Sequence, residues 1–143
     1  MKKIQNPLIS RFQFILMALV FLSCSSTPAY DKALDPLDGG RNFIENCMQG
    51  DLKKAHFYII SDSSNEAAFN EISAAYFALD KEGRMQNRQA SLQINELIAL
   101  DPKTTLIHYK YSNDQTPKVI KVVETANGWK VDLKYSYEAD LKK

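Results

Sequence analysis

Two glutamates are the residues of this chain whose placement could support catalysis. Glu96 and Glu124 each fall on the mostly apolar side of a predicted strand, when alternating residues are assigned to opposite faces. A carboxylate held in an apolar cavity is harder to ionise than in water and could serve as a general acid or base. A bulge reverses this parity and strand ends reach water, so structural roles compete with catalysis. No catalytic motif supports either residue.

The histidines and Cys47 do not form a pattern that is typical of a metal site or a nucleophile. His56 and His108 are the only histidines, and neither lies in a spacing such as HxxxH or CxxC. Cys47 has no histidine four residues away and no neighbouring lysine to lower its pKa. We interpret it as a small core residue, and the sequence predicts neither a metal nor a cofactor.

An antiparallel meander is the element that would position these groups. Polar and apolar residues alternate through residues 105–111, 118–125 and 129–137, which are separated by turn residues that include Pro117. The predicted core face carries Ile107, Tyr109, Tyr111, Ile120, Val122, Trp129, Val131, Leu133 and Tyr135. The sequence therefore predicts three consecutive strands with one buried face.

The register of the last two strands follows from their charges. A two-residue loop at Asn127 and Gly128 would set Lys121 opposite Lys134, and like charges directly opposite are unfavourable. A four-residue loop, 125–128, sets Lys121 opposite Asp132 instead. We predict the longer loop.

Helical spacing of apolar residues predicts the N-terminal part of the domain. One helix ends at Gly50, Asp51 caps a short second helix, and a third begins near Ser63 and ends near Gly83. The apolar positions are Phe43, Ile44, Cys47 and Met48 in the first helix and Phe69, Ile72, Tyr76 and Leu79 in the third. These helices would cover the sheet, which gives an α+β fold.

Residues 84–101 fit two interpretations. Their Met, Gln, Ala, Leu and Glu content favours a helix, whereas Leu92, Ile94, Ile98 and Leu100 share strand parity. We predict a long strand, because a three-stranded meander needs a further partner to cover the helices.

The first 23 residues have the order of an export signal. Lys2 and Lys3 precede an unbroken apolar run, 14–22, which is too short to span a bilayer. Cys24 follows a small residue at the end of this run, which resembles the lipobox of bacterial lipoproteins, although Phe21 departs from the usual Leu, Val or Ile. The alternative is an ordinary cleavable signal with an incidental cysteine.

This resemblance implies a lipid on Cys24 and attachment to a membrane. We expect a signal peptide at 1–23, a lipidated N-terminus and flexible tether at 24–40, and one domain at 41–143. The alternative for the tether's end is that Leu34 and Leu37 pack on the domain. The expected location is the envelope of a Gram-negative bacterium, facing the periplasm. The chain after residue 23 has two more acidic than basic residues, which argues against nucleic acid as a partner.

The order of these elements resembles the nuclear-transport-factor-2-like superfamily. The resemblance rests on the Gly50-Asp51 step among the helices and on the ending from Asn127 to Asp132, and covers residues 41–137. It implies a cone-shaped fold, in which helices close over a curved antiparallel sheet. Relatives use the resulting pocket for small apolar ligands, for dimer contacts, or for isomerase and dehydratase chemistry.

Three functions remain open on this basis. The first is a binding module for a small apolar ligand, in a pocket formed by Tyr76, Tyr109, Trp129 and Tyr135. The second is a scaffold lipoprotein, which uses the sheet for a homodimer or an envelope partner. The third is an isomerase-like enzyme that uses Glu96 or Glu124. Fold alone does not decide among them.

Overall fold

The computed structural model describes residues 30–135 of the chain. In this part, four helices precede a four-stranded antiparallel sheet that is curved and unclosed, which confirms the predicted α+β class. The helices are α1 (Pro36–Gln49), α2 (Leu52–Phe57), α3 (Ser63–Ala78) and α4 (Lys81–Gln89). The strands are β1 (Leu92–Asp101), β2 (Thr104–Tyr111), β3 (Asp114–Thr125) and β4 (Gly128–Asp132).

The strands form a meander in the order β1-β2-β3-β4. Lys121 pairs with Asp132 across β3 and β4, and its Nζ lies 3.1 Å from the Asp132 Oδ2, so the register predicted from charge is confirmed. Thr125 also pairs with Gly128, which shortens the predicted four-residue loop to two residues, 126–127. Pro117 lies in a shifted part of the β2–β3 ladder, where no regular pairing is required of it.

The predicted strand over residues 84–101 is correct only from Leu92 onward. Residues 81–89 form α4, because the Asp80 carboxylate caps its first turn by accepting from the Gly83 N–H at 2.8 Å. Gly83 therefore lies inside α4 and does not end α3, which stops at Ala78. None of the residues of α4 is buried, so local propensity and the cap have decided its structure.

The last predicted strand is also shorter than expected. β4 ends at Asp132, and residues 133–135 are helical. The Leu133 N–H donates to the Oδ1 of the fully buried Asn65 at 2.6 Å, which ties the end of β4 to the start of α3. Tyr135 consequently leaves the sheet, and residues 136 and 137 lie outside the described part.

At the other end, ordered packing begins well before Arg41. Helix α1 starts at Pro36 and is capped by Asp35, whose carboxylate accepts from the Asp38 N–H at 2.8 Å. Gly39 faces β4 so closely that a Cβ there would lie 2.8 Å from the Trp129 carbonyl oxygen. The paired glycines predicted as part of a flexible tether thus allow close contact between α1 and the sheet.

Of the two leucines considered for docking near the tether's end, Leu34 is exposed and Leu37 is partly buried. The neighbouring Ala33 is the residue that packs into the core. The predicted signal peptide, 1–23, and the predicted lipid-attachment residue, Cys24, lie outside the described residues.

The core lies between α1 and one face of the sheet. Its fully buried side chains include Ile44 of α1, Ile107 of β2, Val122 of β3 and Val131 of β4. The outer edge of β4 is covered by residues 58–60, since the Val131 N–H donates to the Tyr58 carbonyl at 2.7 Å. None of the described helices is long and apolar enough to cross a membrane.

Candidate functional site

A cleft of about 310 Å³ opens where the C-terminal half of α1, helix α3, the end of α4 and the end of β2 meet. We call it the apolar cleft. It is lined by Cys47, Met48, Ile72, Ala75, Tyr76, Leu79, Asn87, Ala90, Tyr111 and Asn113. None of these side chains carries a formal charge in its ordinary state. The lining therefore favours an uncharged or amphipathic occupant.

Burial raises the pKa of two titratable groups in the lining of this cleft, Cys47 and Tyr111. Desolvation raises the pKa of the Cys47 thiol to about 12. Desolvation also raises the pKa of Tyr111 to about 12, against a smaller lowering effect of a hydrogen bond with Tyr109. A thiol with so high a pKa is a poor nucleophile, which agrees with the interpretation of Cys47 as a structural residue.

Tyr76 forms one wall of the cleft, and the lack of a side chain at Gly50 makes room for its ring. Gly50 ends α1 in the left-handed region, at φ 78°, and its N–H donates to the Cys47 carbonyl. A Cβ at this position would collide with the Tyr76 ring and hydroxyl. The glycine thus allows the ring of an α3 residue to lie directly on the end of α1, next to Cys47 and Met48.

Only one of the four predicted pocket residues lines this cleft. Tyr76 does, whereas Tyr109 is buried in the core beside Tyr111, with 5.6 Å between the ring centroids. Trp129 packs near Gly39 at the hairpin end of the sheet. Tyr135 lies after β4, 36% exposed, with the Lys121 ammonium 5.9 Å from its ring.

Tyr111 belongs to the cleft although it was not among the predicted pocket residues. The strand parity of the sequence already places it on the core face. Strand parity cannot show that α3 and α4 leave the end of β2 partly uncovered. This exposure depends on where the two helices end.

The structure separates Glu96 and Glu124 from the apolar cleft. A β-bulge between Ile94 and Glu96 reverses the parity of β1, so that Glu96 pairs with His108 and is exposed. Glu124 pairs with Trp129 near the hairpin end and is also exposed. Neither carboxylate lies in an apolar cavity, so neither has the surroundings predicted for a general acid or base.

A second cleft of about 460 Å³ lies at the opposite end of the sheet, against residues 56–61. We call it the lysine cleft. It is lined by Lys32, His56, Phe57, Ile59, Ile60, Ser61, Glu66, Thr125, Asn127 and Lys130. Lys130 is the notable member, since only 8% of its surface is exposed.

Sequence reasoning missed the lysine cleft, because Lys130 reads as a polar-face residue of its strand. Lys130 contacts Phe57 at the end of α2, and residues 58–60, which follow, run along β4. No local signal in the sequence predicts that path.

Within residues 30–135, no group of three or more His, Cys, Asp or Glu side chains is placed to hold a metal ion. The chain matches no family model, and no curated protein or solved structure shows significant similarity to it.

Proposed function

We propose that this protein is a lipid-anchored binding module of the bacterial cell envelope, which holds a small apolar or amphipathic molecule in the apolar cleft. The composition of the cleft carries the proposal: apolar side chains, one thiol and two phenols, none with a formal charge in its ordinary state, surround about 310 Å³. The asparagines at its margin, Asn87 and Asn113, can hydrogen-bond a polar end of the ligand.

The fold is compatible with this role. Helices packed on a curved antiparallel sheet occur in the nuclear-transport-factor-2-like cone, to which we assign the domain as part of the proposal. Small-molecule sites usually begin at about 300 Å³, so the cleft suits a compact ligand. Burial of apolar ligand surface supplies roughly 25 cal/mol per Å², which is the expected source of affinity.

Binding can be tested with a neutral fluorescent probe, N-phenyl-1-naphthylamine, and two tryptophan variants on α3. Ala75→Trp places a large ring in the cleft, whereas Ala74→Trp adds the same ring at a neighbouring exposed position that does not line it. We expect Ala75→Trp to abolish saturable probe binding and Ala74→Trp to retain it. Equal binding by the two variants would contradict the proposal.

Native mass spectrometry of the chain from Ser25 onward, purified without added ligand, tests for a natural occupant. A retained small molecule that disappears in Ala75→Trp but not in Ala74→Trp would identify the class of ligand. Retention of the same adduct by both variants would place it outside the apolar cleft.

The proposed anchor is tested independently of the cleft. Replacement of Cys24 by Ala should move the protein from the membrane fraction to the soluble fraction, and should remove the mass of the acyl chains. Unchanged fractionation and mass would contradict the lipoprotein proposal and leave the binding proposal intact.

A second candidate function, a homodimeric scaffold, is favoured by the free edge of the sheet. Leu97, Ile98 and Leu100 of β1 are exposed, Leu100 by 54%, and no described strand pairs with the outer edge of β1. A long apolar edge strand can add a strand from a second copy. Replacement of Leu97 by Lys should then convert a dimer to a monomer in light scattering, and a monomeric parent protein would contradict this candidate.

A further inference from the structure

The lysine cleft contains the buried ammonium of Lys130, which no carboxylate of residues 30–135 neutralises. Lys130 donates a hydrogen bond to the Phe57 carbonyl, and its Nζ lies 3.7 Å from the centroid of the Phe57 ring. Among residues 30–135, no carboxylate lies within ion-pair distance of it. The lysines nearby in sequence differ, since Lys121 pairs with Asp132 and Lys134 with Asp62.

Burial of the Lys130 ammonium costs free energy unless an anion neutralises its charge. Removal of an ammonium group from water disfavours its charged form, and burial accordingly lowers the pKa of Lys130. The charge of Lys32, which lines the same cleft, lowers it further. Two cations around one cavity repel each other, and an anion between them would relieve both effects.

Glu66 is the carboxylate in the lining of this cleft, and it pairs with His56. Its two oxygens lie 2.9 and 2.7 Å from the His56 Nε2. Apart from the two lysines and the Glu66–His56 pair, the polar lining residues are Ser61, Thr125 and Asn127, of which the Ser61 hydroxyl and the Asn127 amide can donate hydrogen bonds. Beside the Glu66–His56 pair, the cleft thus combines two lysines with neutral donors, a set of groups that suits an oxyanion with several acceptor atoms.

We propose that the lysine cleft binds the phosphate group of an organic phosphate, with Lys130 and Lys32 as its cationic partners and Ser61 and Asn127 as hydrogen-bond donors. A phosphate matches two cations better than a singly charged carboxylate does. The volume of about 460 Å³ exceeds what a phosphate alone would fill, which leaves space for the organic part.

Two sources could supply this group, a soluble phosphate ester or a lipid headgroup. The chain from Cys24 to Lys32 spans at most about 29 Å when fully extended. A lipid on Cys24 would therefore keep the lysine cleft close to the membrane surface. The headgroup source rests on the proposed anchor, whereas the phosphate site itself does not.

The experiment uses the full chain in non-ionic detergent micelles, with backbone amide shifts measured by NMR. One titration adds glycerol 3-phosphate, a second adds phosphatidylglycerol to the micelles, and a third adds phosphatidylcholine. Sodium chloride at matched ionic strength is the control for screening. We expect saturable shifts at Lys130, Ser61 and Asn127 in the first or second titration, and which of them saturates at lower concentration identifies the source.

Variants connect these shifts to the cleft. Lys130→Met should weaken binding by at least about tenfold, through the loss of one charge-assisted contact, and Lys130→Arg should restore most of it. Lys53→Met, at an exposed position outside the cleft, should leave binding unchanged. If Lys130→Met does not fold, the exposed Lys32→Gln variant must show the weakening.

Three results would overturn the phosphate site. The first is the absence of saturable shifts with both glycerol 3-phosphate and phosphatidylglycerol. The second is equal binding by the wild type and the folded Lys130→Met or Lys32→Gln variant. The third is an equal response to sodium chloride. These outcomes do not depend on whether N-phenyl-1-naphthylamine binds in the apolar cleft. The phosphate proposal and the apolar-ligand proposal can therefore fail separately.

Discussion

The ring and hydroxyl of Tyr76 occupy the space that a side chain at Gly50 would fill. Gly50 also has φ 78°, a conformation that residues with a Cβ rarely adopt. One glycine therefore ends α1, allows α3 to pack against it, and sets the wall of the apolar cleft.

Gly50→Ala should destabilise the protein by about 2–4 kcal/mol, measured by urea unfolding, because backbone strain and a steric collision add. In a Tyr76→Ala background the collision is absent, and the same substitution should cost only about 1 kcal/mol. Gly83→Ala is the matched control, since Gly83 has no positive φ and its nearest neighbours are side chains; it should not destabilise the protein, because Ala is favoured over Gly in a helix by up to about 1 kcal/mol. Equal costs in both backgrounds would show that Tyr76 does not restrict residue 50.

Asn65→Ala should destabilise the fold by about 1–3 kcal/mol, because it leaves the Leu133 N–H buried without an acceptor. Asn65 is fully buried, and its amide also donates to the Asp62 carboxylate at 2.9 Å. Urea unfolding of Asn65→Ala and of the exposed control Ser64→Ala measures the difference. If both variants unfold alike, the hydrogen bond to Leu133 does not stabilise the end of β4.

The parts of the fold that could be predicted are those in which neighbouring residues decide the outcome. The β3–β4 register follows from the pairing of Lys121 with Asp132, and the end of α1 follows from Gly50. Both require only a hairpin or a helix terminus, so short-range chemistry is sufficient.

The parts that could not be predicted depend on distant segments. Gly39 resembles a linker residue until β4 is packed against it, and the burial of Lys130 depends on the path of residues 57–60. Residues 84–89 contain no buried position, so their apolar pattern carried no information about the choice between helix and strand. The apolar cleft was missed in part for the same reason, because its opening depends on where α3 and α4 end.

Lys121→Met should destabilise the protein by about 2 kcal/mol, because it leaves the largely buried Asp132 carboxylate without its cation. The other oxygen of Asp132, Oδ1, is buried without a hydrogen-bond partner among the described residues, so it cannot compensate. The double variant Lys121→Met, Asp132→Asn should recover part of the loss. Lys118→Met breaks a more exposed pair with Asp114 and should have a much smaller effect. Similar losses for the two lysines would contradict the importance of burial.

Above pH 9, the stability should fall because of Cys47. The unfolded thiol releases its proton near its ordinary pKa of 9.0, whereas the folded thiol retains it up to about 12. The contribution is therefore fully present below pH 9 and is lost as the pH rises towards 12, by at most about 1.4 kcal/mol per pH unit. The raised pKa of Tyr111 also makes the stability fall with pH, starting near its ordinary pKa of 10.0. The lowered pKa of Lys130 has the opposite effect, since it makes the stability rise with pH. The test therefore compares variants and does not rely on the wild type alone.

Urea unfolding of the wild type and of Cys47→Ala between pH 7 and pH 10.5 isolates the thiol. The difference in unfolding free energy between them should be constant below pH 8 and should shrink above pH 9, since only the wild type loses the contribution of a buried neutral thiol. Iodoacetamide should also alkylate folded Cys47 far more slowly than the unfolded thiol at pH 8.5, because the thiolate is the reactive form. A pH-independent difference together with rapid alkylation would mean that the thiol is open to solvent, and would contradict the raised pKa of Cys47.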